Sequence, residues 1–179
     1  HAFVGQTEHL ARRCGLADDD VSMLFLGPKL RVALVTTHLA IVDVPNEITP
    51  ARVARTLSHL AMALARLGHA RPSIAVCGLN PHAGEHGLFG TEERDVIGPA
   101  VVATARTLAA DVGEPRPAEA IFRDAAAGRV DGVVAMFHDQ ATIASKLLDW
   151  GSAVNVTWGL PFVRTSVDHG VAYDAAARG

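Results

Sequence analysis

Three short apolar runs, each followed by a polar segment with a histidine, constrain the fold of this chain more than any other feature. The runs are residues 31–37, 73–79 and 132–137, and the histidines that follow them are His38, His82 and His138. Such runs, rich in β-branched residues and without polar alternation, predict strands that are buried on both faces. In open α/β sheets, ligands bind beyond the carboxyl ends of such strands. We therefore predict that the three histidines meet at one edge of a sheet.

Three histidines at one edge predict a divalent metal site. Neutral imidazole is a good ligand for zinc and other first-row ions, and three protein ligands with open positions are typical of a catalytic site. The alternative is that each histidine is a hydrogen-bonded loop residue, since nine histidines occur in the chain. Asp139 and Glu85 are candidates for carboxylates that orient the imidazole rings, and equally for ordinary surface groups.

Composition excludes several classes of function. The 179 residues, 49% hydrophobic and 20% charged, predict one globular domain with a sizeable core. A net charge of −3 without a basic stripe argues against nucleic acid or an anionic membrane as the partner. Cys14 and Cys77 lack disulfide or zinc-finger spacing, which favours a cytoplasmic localisation. We find no apolar run of membrane-spanning length and no signal peptide. Because the chain begins at His1, we interpret it as part of a longer protein.

Periodicity and turn residues predict the remaining elements. We expect a hairpin over residues 21–37, a helix over 49–68, a helix broken near Pro99, helices over 118–127 and 141–149, and a strand over 154–157. The predicted helix over 49–68 has an apolar stripe that consists of Val53, Leu57, Leu60, Leu64 and Leu67. We further expect Thr7 to cap a short first helix, His59 to be solvated, and residues 113–117 to form a loop.

Arg164 is a candidate binding residue because it lies within an apolar stretch, residues 162–165. A buried guanidinium needs an anionic partner. Lys146 follows the third strand on a predicted helix, where a lysine is ordinarily exposed.

Several longer motifs resemble the 4-hydroxythreonine-4-phosphate dehydrogenase family. They are Thr36-Thr-His-Leu39, Gly78-Leu-Asn-Pro-His-Ala-Gly-Glu85, Met136-Phe-His-Asp-Gln140 and residues 154–170, Val-Asn-Val-Thr-Trp-Gly-Leu-Pro-Phe-Val-Arg-Thr-Ser-Val-Asp-His-Gly. The resemblance covers essentially the whole chain but only the later part of the family's usual length. It implies an α/β/α sandwich of the isocitrate and isopropylmalate dehydrogenase type, lacking the N-terminal segment of a two-domain subunit. It also implies a metal-binding and dimerisation domain over residues 1–150, followed by a segment, 151–179, that returns toward the nucleotide-binding domain.

The resemblance also implies particular site residues. Substrate contacts fall on Gln6, Thr7, Lys146, Asn155 and Arg164. Contacts with NAD or NADP fall on Asn80, Asp168, His169, Gly170 and Asp174. A divalent ion (zinc, or magnesium, cobalt or manganese) falls on His38, His82 and His138, in agreement with the strand-end argument. Family members commonly have histidine where Gln6 stands, so a changed substrate is expected.

The activity implied is that of a homodimeric, metal-dependent oxidoreductase of pyridoxine biosynthesis. It oxidises the secondary alcohol of a hydroxy acid with NAD, followed by decarboxylation. Lys146, Asp139 and a water molecule are the candidates for the base. Relatives that act on D-threonate or D-erythronate phosphate, or on a terephthalate cis-dihydrodiol, give alternative substrates. Two other classes remain open, namely a metal-dependent hydrolase and a nonfunctional, dimer-forming fragment.

Overall fold

The computed structural model describes residues 6–166 and residue 178. Within that part, the α-helices are Gln6–Arg13 (α1), Val44–Glu47 (α2), Pro50–Arg66 (α3), Gly98–Ala105 (α4), Ala118–Ala126 (α5) and His138–Asp149 (α6). The strands are Ser22–Leu26 (β1), Arg31–Leu34 (β2), Ser73–Cys77 (β3), Asp111–Arg116 (β4), Gly132–Ala135 (β5), Val154–Trp158 (β6) and Arg164–Ser166 (β7). A tight turn, Pro81–Gly87, follows β3, and a π-helical turn, Glu93–Ile97, runs directly into α4.

All seven strands form one mixed sheet in the order β4-β3-β5-β2-β1-β6-β7. Strands β4, β3, β5 and β2 are parallel to one another, whereas β1, β6 and β7 add antiparallel pairs on the other side of β2. The predicted α/β class and the hairpin of β1 and β2 are therefore confirmed. Strand β5 lies in the interior of the sheet, and all four of its residues are buried.

Helices cover both faces of this sheet. On one face α3 and α4 pack with Leu24, Val76 and Val134, and on the other α5 and α6 pack with Val133 and Ala135. Adjacent residues of β5 thus pack into the two cores on opposite faces of the sheet, which explains why the sequence of β5 shows no alternation of apolar and polar residues.

Helix α3 forms as the sequence predicts. Thr49 is its N-cap and accepts a hydrogen bond from the Arg52 N–H at 3.2 Å, and Pro50 is its first residue. Four stripe residues are fully buried, but Leu67 is 53% exposed because it follows the last helical turn; the four are Val53, Leu57, Leu60 and Leu64. Burial of each leucine contributes about 1.5–3 kcal/mol. The helix lies so close to β5 that a Cβ on Gly132 would be 2.8 Å from a Leu64 methyl group.

The far end of α6 is tied to the hairpin. Asp149, only 2% exposed, accepts hydrogen bonds from the backbone N–H groups of Lys29 and Leu30. The carboxylate thereby satisfies two donors at the turn between β1 and β2.

Three local predictions were wrong. Thr7 lies inside α1, which begins at Gln6, so its hydroxyl is free for tertiary contacts. Residues 113–117 do not form a loop, because all but Pro117 belong to strand β4. This strand lies at the edge of the sheet, where a proline such as Pro115 is tolerated because one side of the strand has no neighbour to hydrogen-bond with. His59 is partly buried and shares a 2.9 Å hydrogen bond with the Ser22 hydroxyl.

The predicted break near Pro99 is confirmed, since the π-helical turn and α4 meet at Gly98. Cys14 and Cys77 are free thiols, and burial raises the pKa of Cys77. No helix within the described residues is long and apolar enough to cross a bilayer. Strands β6 and β7 extend the same sheet, and the predicted boundary near residue 150 stays a prediction.

Candidate functional site

The sheet places all three predicted ligand segments at one edge. Strands β3, β5 and β2 are neighbours and parallel, so their carboxyl ends lie side by side. His38, His82 and His138 follow those ends in sequence. The rings of His38 and His138 are 5.5 Å apart between centroids, at an interplanar angle of 43°.

The spacing of this pair suits a shared cation. Two imidazoles bound to one tetrahedral ion through nitrogens about 2.1 Å away have ring centroids roughly 5 Å apart. The His138 Nδ1–H donates to Asp139 Oδ1 at 2.6 Å, a contact that fixes the ring and leaves Nε2 free. Asp139 is mostly exposed, so this contact orients a ligand rather than stabilising a core.

His82 lies apart from this pair. Its ring is 6.2 Å from that of Phe89, in a turn where residues 82–86 all have positive φ. Across residues 6–166, no three His, Cys, Asp or Glu side chains are grouped closely enough to hold an ion. The structure therefore brings together two of the three predicted ligands within one chain. Glu85, the other candidate orienting carboxylate, is exposed in the same turn as His82.

A buried carboxylate anchors the turn that carries His82. Glu93 is 9% exposed and accepts the Asn80 N–H at 2.7 Å and the Asn80 side-chain amide at 3.1 Å. The second proton of that amide goes to Glu92 at 2.6 Å. Asn80, predicted to contact a cofactor, thus has both amide protons engaged and only Oδ1 to offer. Gly84 and Gly90 allow the close packing, because a Cβ on either would approach Glu93 or Asn80 below 3.0 Å.

Arg164 is the centre of a second group of polar side chains. One guanidinium nitrogen, Nη1, donates to Thr157 at 2.7 Å and to Thr7 at 3.2 Å, and Nη2 donates to Gln6 at 3.3 Å. All three acceptors are neutral, and no carboxylate among the described residues pairs with Arg164. Within the described residues the guanidinium charge is therefore uncompensated, an arrangement that would suit binding of a carboxylate or phosphate.

Asn155 and Lys146 lie on the same side of the sheet as this group. Asn155 and Thr157 are two apart on β6 and share a face, and their partners on β1, Phe25 and Met23, pack in the core beneath α6. Lys146 is on α6, with its ammonium 6.0 Å from the Trp150 ring. Asn155 Oδ1 is buried without a hydrogen-bond partner. A buried acceptor without a partner costs free energy, which a bound donor would offset.

A cavity of about 240 Å³ opens beside His38. Arg52 and Arg55 line it, and Arg52 is paired with Asp19 at 2.7 Å and with Glu47 at 2.8 Å. Among the described residues no carboxylate forms an ion pair with Arg55. Its Nε is buried without a partner there, and burial lowers the pKa of the guanidinium. The cavity wall near His38 is therefore cationic at Arg55.

Four predicted cofactor residues, Asp168, His169, Gly170 and Asp174, lie outside the described part of the chain.

Sequence reasoning assigned no function to four residues that organise these groups: Arg55, Glu93, Gln140 and Thr157. Glu93 matched the pattern of an acidic residue in the first turn of a helix, and such residues are ordinarily exposed, so nothing in the sequence indicated that Glu93 is buried. Thr157 carried only a weak signal, its place in the predicted strand over residues 154–157, shortly before Arg164. The packing that gives the other two their contacts has no local sequence pattern.

The whole chain is similar to known dehydrogenases. The sequence model of the family described as "Pyridoxal phosphate biosynthetic protein PdxA" matches residues 1–179. The chain is 49% identical to D-threonate 4-phosphate dehydrogenase of Cupriavidus necator over 100% of its length and 53% of that protein. The fold matches the crystal structure of 4-hydroxythreonine-4-phosphate dehydrogenase from Klebsiella pneumoniae with a TM-score of 0.85 and 42% identity, over 97% of this chain and 52% of that one.

A third match is terephthalate 1,2-cis-dihydrodiol dehydrogenase from Burkholderia xenovorans, with a TM-score of 0.82 and 30% identity over 96% of this chain and 54% of that one. The chain thus spans about half the length of the relatives it matches.

Proposed function

The chain belongs to the pyridoxal phosphate biosynthetic protein PdxA family, and from that membership we propose that it forms the metal- and substrate-binding part of a dehydrogenase. The reaction proposed is oxidation of the secondary alcohol of a hydroxy acid with NAD or NADP. Loss of carbon dioxide follows where a carboxylate stands β to the new carbonyl group. The observation that carries this proposal is a match along the whole chain to relatives that are named as dehydrogenases.

A divalent metal ion belongs to this proposal, and the donor set fits one. His38 and His138 have the mutual spacing of two ligands of one ion, and Asp139 leaves Nε2 of His138 free to coordinate. His82, at the same sheet edge but against Phe89, is the third ligand, provided by a second copy of the chain in a homodimer. A bound ion would supply Lewis-acid polarisation of the substrate hydroxyl group.

The chain's own residues have distinct tasks. Arg164, held in place by Thr157 and Thr7, binds the anionic end of the substrate through its planar fork. Asn155 offers the buried Oδ1 to a substrate donor. Lys146, on the same face, adds a second cation and is the candidate for the base that takes the hydroxyl proton. Asp139 holds the His138 ring and acts on the substrate only through it.

The proposed contacts with the cofactor fall on Asn80 and on residues 168–174. NAD or NADP supplies the hydride acceptor. Asn80 can contribute only its Oδ1, and otherwise anchors the His82 turn. The remaining contacts are assigned to Asp168, His169, Gly170 and Asp174, which implies a two-domain subunit of the isocitrate and isopropylmalate dehydrogenase type.

D-threonate 4-phosphate is a second candidate substrate beside 4-hydroxythreonine 4-phosphate. It is favoured by the 49% identity to a D-threonate 4-phosphate dehydrogenase. Both compounds are acids with a phosphate group, so both suit Arg164, and they differ in the substituent next to the carboxylate. Gln6, a neutral amide on Arg164, makes this binding group less cationic than a histidine at that position would.

The test is formation of reduced nicotinamide by the purified protein with these two phosphates and with an aromatic cis-dihydrodiol. We expect turnover of one of the two phosphates. This turnover should require both NAD and a divalent ion, and it should be lost in His138→Ala. Turnover of His138→Ala after rigorous chelation would refute the role of the histidines. Turnover without NAD would indicate a hydrolase. Absence of both turnover and NAD binding in calorimetry would indicate a dimer-forming fragment.

A further inference from the structure

We propose that Gln140 is the positioning residue that fixes the histidine-bearing ends of β3 and β5 relative to each other, next to the Thr36 contact that connects β2 to β5. This inference rests on the proposed function of His38, His82 and His138, and it concerns the scaffold that presents them.

The Gln140 side chain bridges the ends of β5 and β3. Its Oε1 accepts the Met136 N–H at 2.7 Å, and its Nε2 donates to the Gly78 carbonyl at 2.9 Å. Met136 lies two residues before His138, and Gly78 lies four residues before His82. One amide therefore sets the separation of two ligand-bearing segments.

The Met136 backbone carries the connection on to β2. Its carbonyl accepts the Thr36 hydroxyl at 2.7 Å and the Thr36 N–H at 3.1 Å. Thr36 is 2% exposed and lies two residues before His38. A continuous series of hydrogen bonds thus joins Gly78, Gln140, Met136 and Thr36. Gly78, Met136 and Thr36 lie near His82, His138 and His38, respectively, and Gln140 connects Gly78 with Met136.

Only a glutamine fits both contacts of this bridge. Its amide is a donor and an acceptor at once, and it has the length to reach back to the backbone from the first turn of α6. Gln140 is the third residue of α6, and its side chain reaches back past the N-cap position, Phe137, to accept the Met136 N–H. Glutamate would keep this acceptor but would set a carboxylate oxygen against the Gly78 carbonyl. Methionine would have neither group.

The two hydrogen bonds go to backbone groups, so Gln140 acts through the segments that it holds. In the proposed homodimer, the ends of β3 and β5 of one chain carry ligands for the two ions of the dimer. Movement of either end would therefore displace a ligand and lower the affinity for that ion. Residues that orient metal ligands typically change metal affinity about 10- to 100-fold when they are replaced.

The experiment compares the wild type with Gln140→Met, Gln140→Glu and the control Asp149→Asn. Asp149→Asn weakens the hairpin contact at the opposite end of α6, so it lowers stability without touching the bridge. Calorimetric titration with Co²⁺ gives metal affinity, and NMR signals of the histidine rings in the metal-free protein give a second readout.

We expect Gln140→Met to lose about 10-fold or more in Co²⁺ affinity, Gln140→Glu to lose less, and Asp149→Asn to bind as the wild type does. The ring signals of both His82 and His138 should move in Gln140→Met and stay in place in Asp149→Asn. If Gln140→Met does not fold, Gln140→Glu decides by the same two readouts.

Wild-type affinity together with unmoved ring signals in the Gln140 variants would overturn the inference. If the wild type binds Co²⁺ no better than His138→Ala, the metal site of the proposed function fails instead. In that case the ring signals still decide whether Gln140 couples the two segments.

Discussion

At the scale of single residues, the informative groups are polar side chains whose partners do not match their charge or burial. Arg164 is held by three neutral acceptors, Asn155 Oδ1 is buried without a partner, and His59 is partly buried beside Ser22. In the proposed function, Arg164 and Asn155 mark the place of the substrate, whereas His59 affects stability.

Replacement of Arg164 tests the anion site. Arg164→Met should lower kcat/KM for a phosphorylated hydroxy acid by about 100-fold or more, because charged hydrogen bonds to the substrate are lost. Arg164→Lys should retain part of the wild-type kcat/KM, since the positive charge remains but the planar guanidinium group does not. Thr157→Val is the matched control, which removes one neutral contact and should cost about 10-fold or less. An equal loss in Arg164→Met and Thr157→Val would contradict direct binding by the guanidinium.

His59 should make the stability of the fold depend on pH. Burial, followed by repulsion from Arg55, lowers the pKa of His59 from 6.5 to about 4. Between those values the unfolded chain binds a proton at His59 that the folded chain does not, so stability rises with pH across this window. The contribution is complete above 6.5 and is lost as the pH falls toward 4. After allowance for solvent screening it amounts to about 1–2 kcal/mol.

Chemical denaturation of the wild type and His59→Gln from acid to neutral pH measures this effect. The difference between the two free energies of unfolding should change across the window, and Ser22→Ala, which keeps the histidine, should retain the wild-type slope. Parallel curves for the wild type and His59→Gln would show that His59 does not titrate in this way.

At the scale of elements, the turn after β3 depends on a residue that follows it. Residues 82–86 occupy the left-handed region, and four of the five are not glycine, at a cost of roughly 1–2 kcal/mol for each such residue. Glu93, at the start of the π-helical turn, holds this conformation through the backbone and side chain of Asn80. Strained backbone supported by a buried network is common where a side chain is presented for function.

Glu93→Gln tests this support. The new amide would set its NH₂ group against the donor of Asn80, and the free energy of unfolding should fall by about 1–3 kcal/mol. Glu92→Gln is the control, because Glu92 binds the same amide from a more exposed position and should cost less. Thermal and chemical denaturation give both values, and equal costs would argue against a special role of the buried carboxylate.

The longer helices and most strands could be predicted from sequence, because their signals are local, whereas the short α2 lies in a segment that the sequence predicts to be a loop. Thr49 and Pro50 begin α3 and a positive-φ glycine, Gly68, follows its end, as their chemistry predicts. Strand β4 could not be predicted, because Gly113 and Pro115 disfavour strands, and only its place at the sheet edge beside β3 tolerates them. Helix α6 begins at His138 rather than at residue 141, which puts Gln140 within reach of two strand ends.

At the scale of the whole molecule, the proposed metal site is incomplete in one chain. His38 and His138 are 5.5 Å apart, and His82 points to Phe89 at the same edge. The α6 helix that begins at His138 also exposes Ile143, Leu147 and Trp150, spaced to form one apolar stripe. Both observations suit a homodimer in which each chain contributes its His82 to the proposed metal site of the other chain.

Mixed dimers of His82→Ala and His138→Ala test this arrangement. If His82 acts across the interface, one of the two sites in such a dimer has every ligand, and about half of the wild-type activity per dimer should return. Neither variant alone should turn over substrate. If all three histidines act within one chain, both sites of the mixed dimer lack a ligand and no activity returns. Size-exclusion chromatography of the mixture verifies that dimers have formed.

The sequence by itself determined the α/β class, the buried strands, the limits of α3 and the family, because apolar runs, caps and long motifs lie in neighbouring residues. It also predicted that the three histidines share a sheet edge, since parallel strands end together. Only the tertiary structure decided which side chains meet: His38 with His138, Arg164 with Thr7 and Thr157, and Gln140 with both strand ends. Such contacts join residues up to 157 positions apart, and strand order and helix packing, rather than any local pattern, bring them within reach.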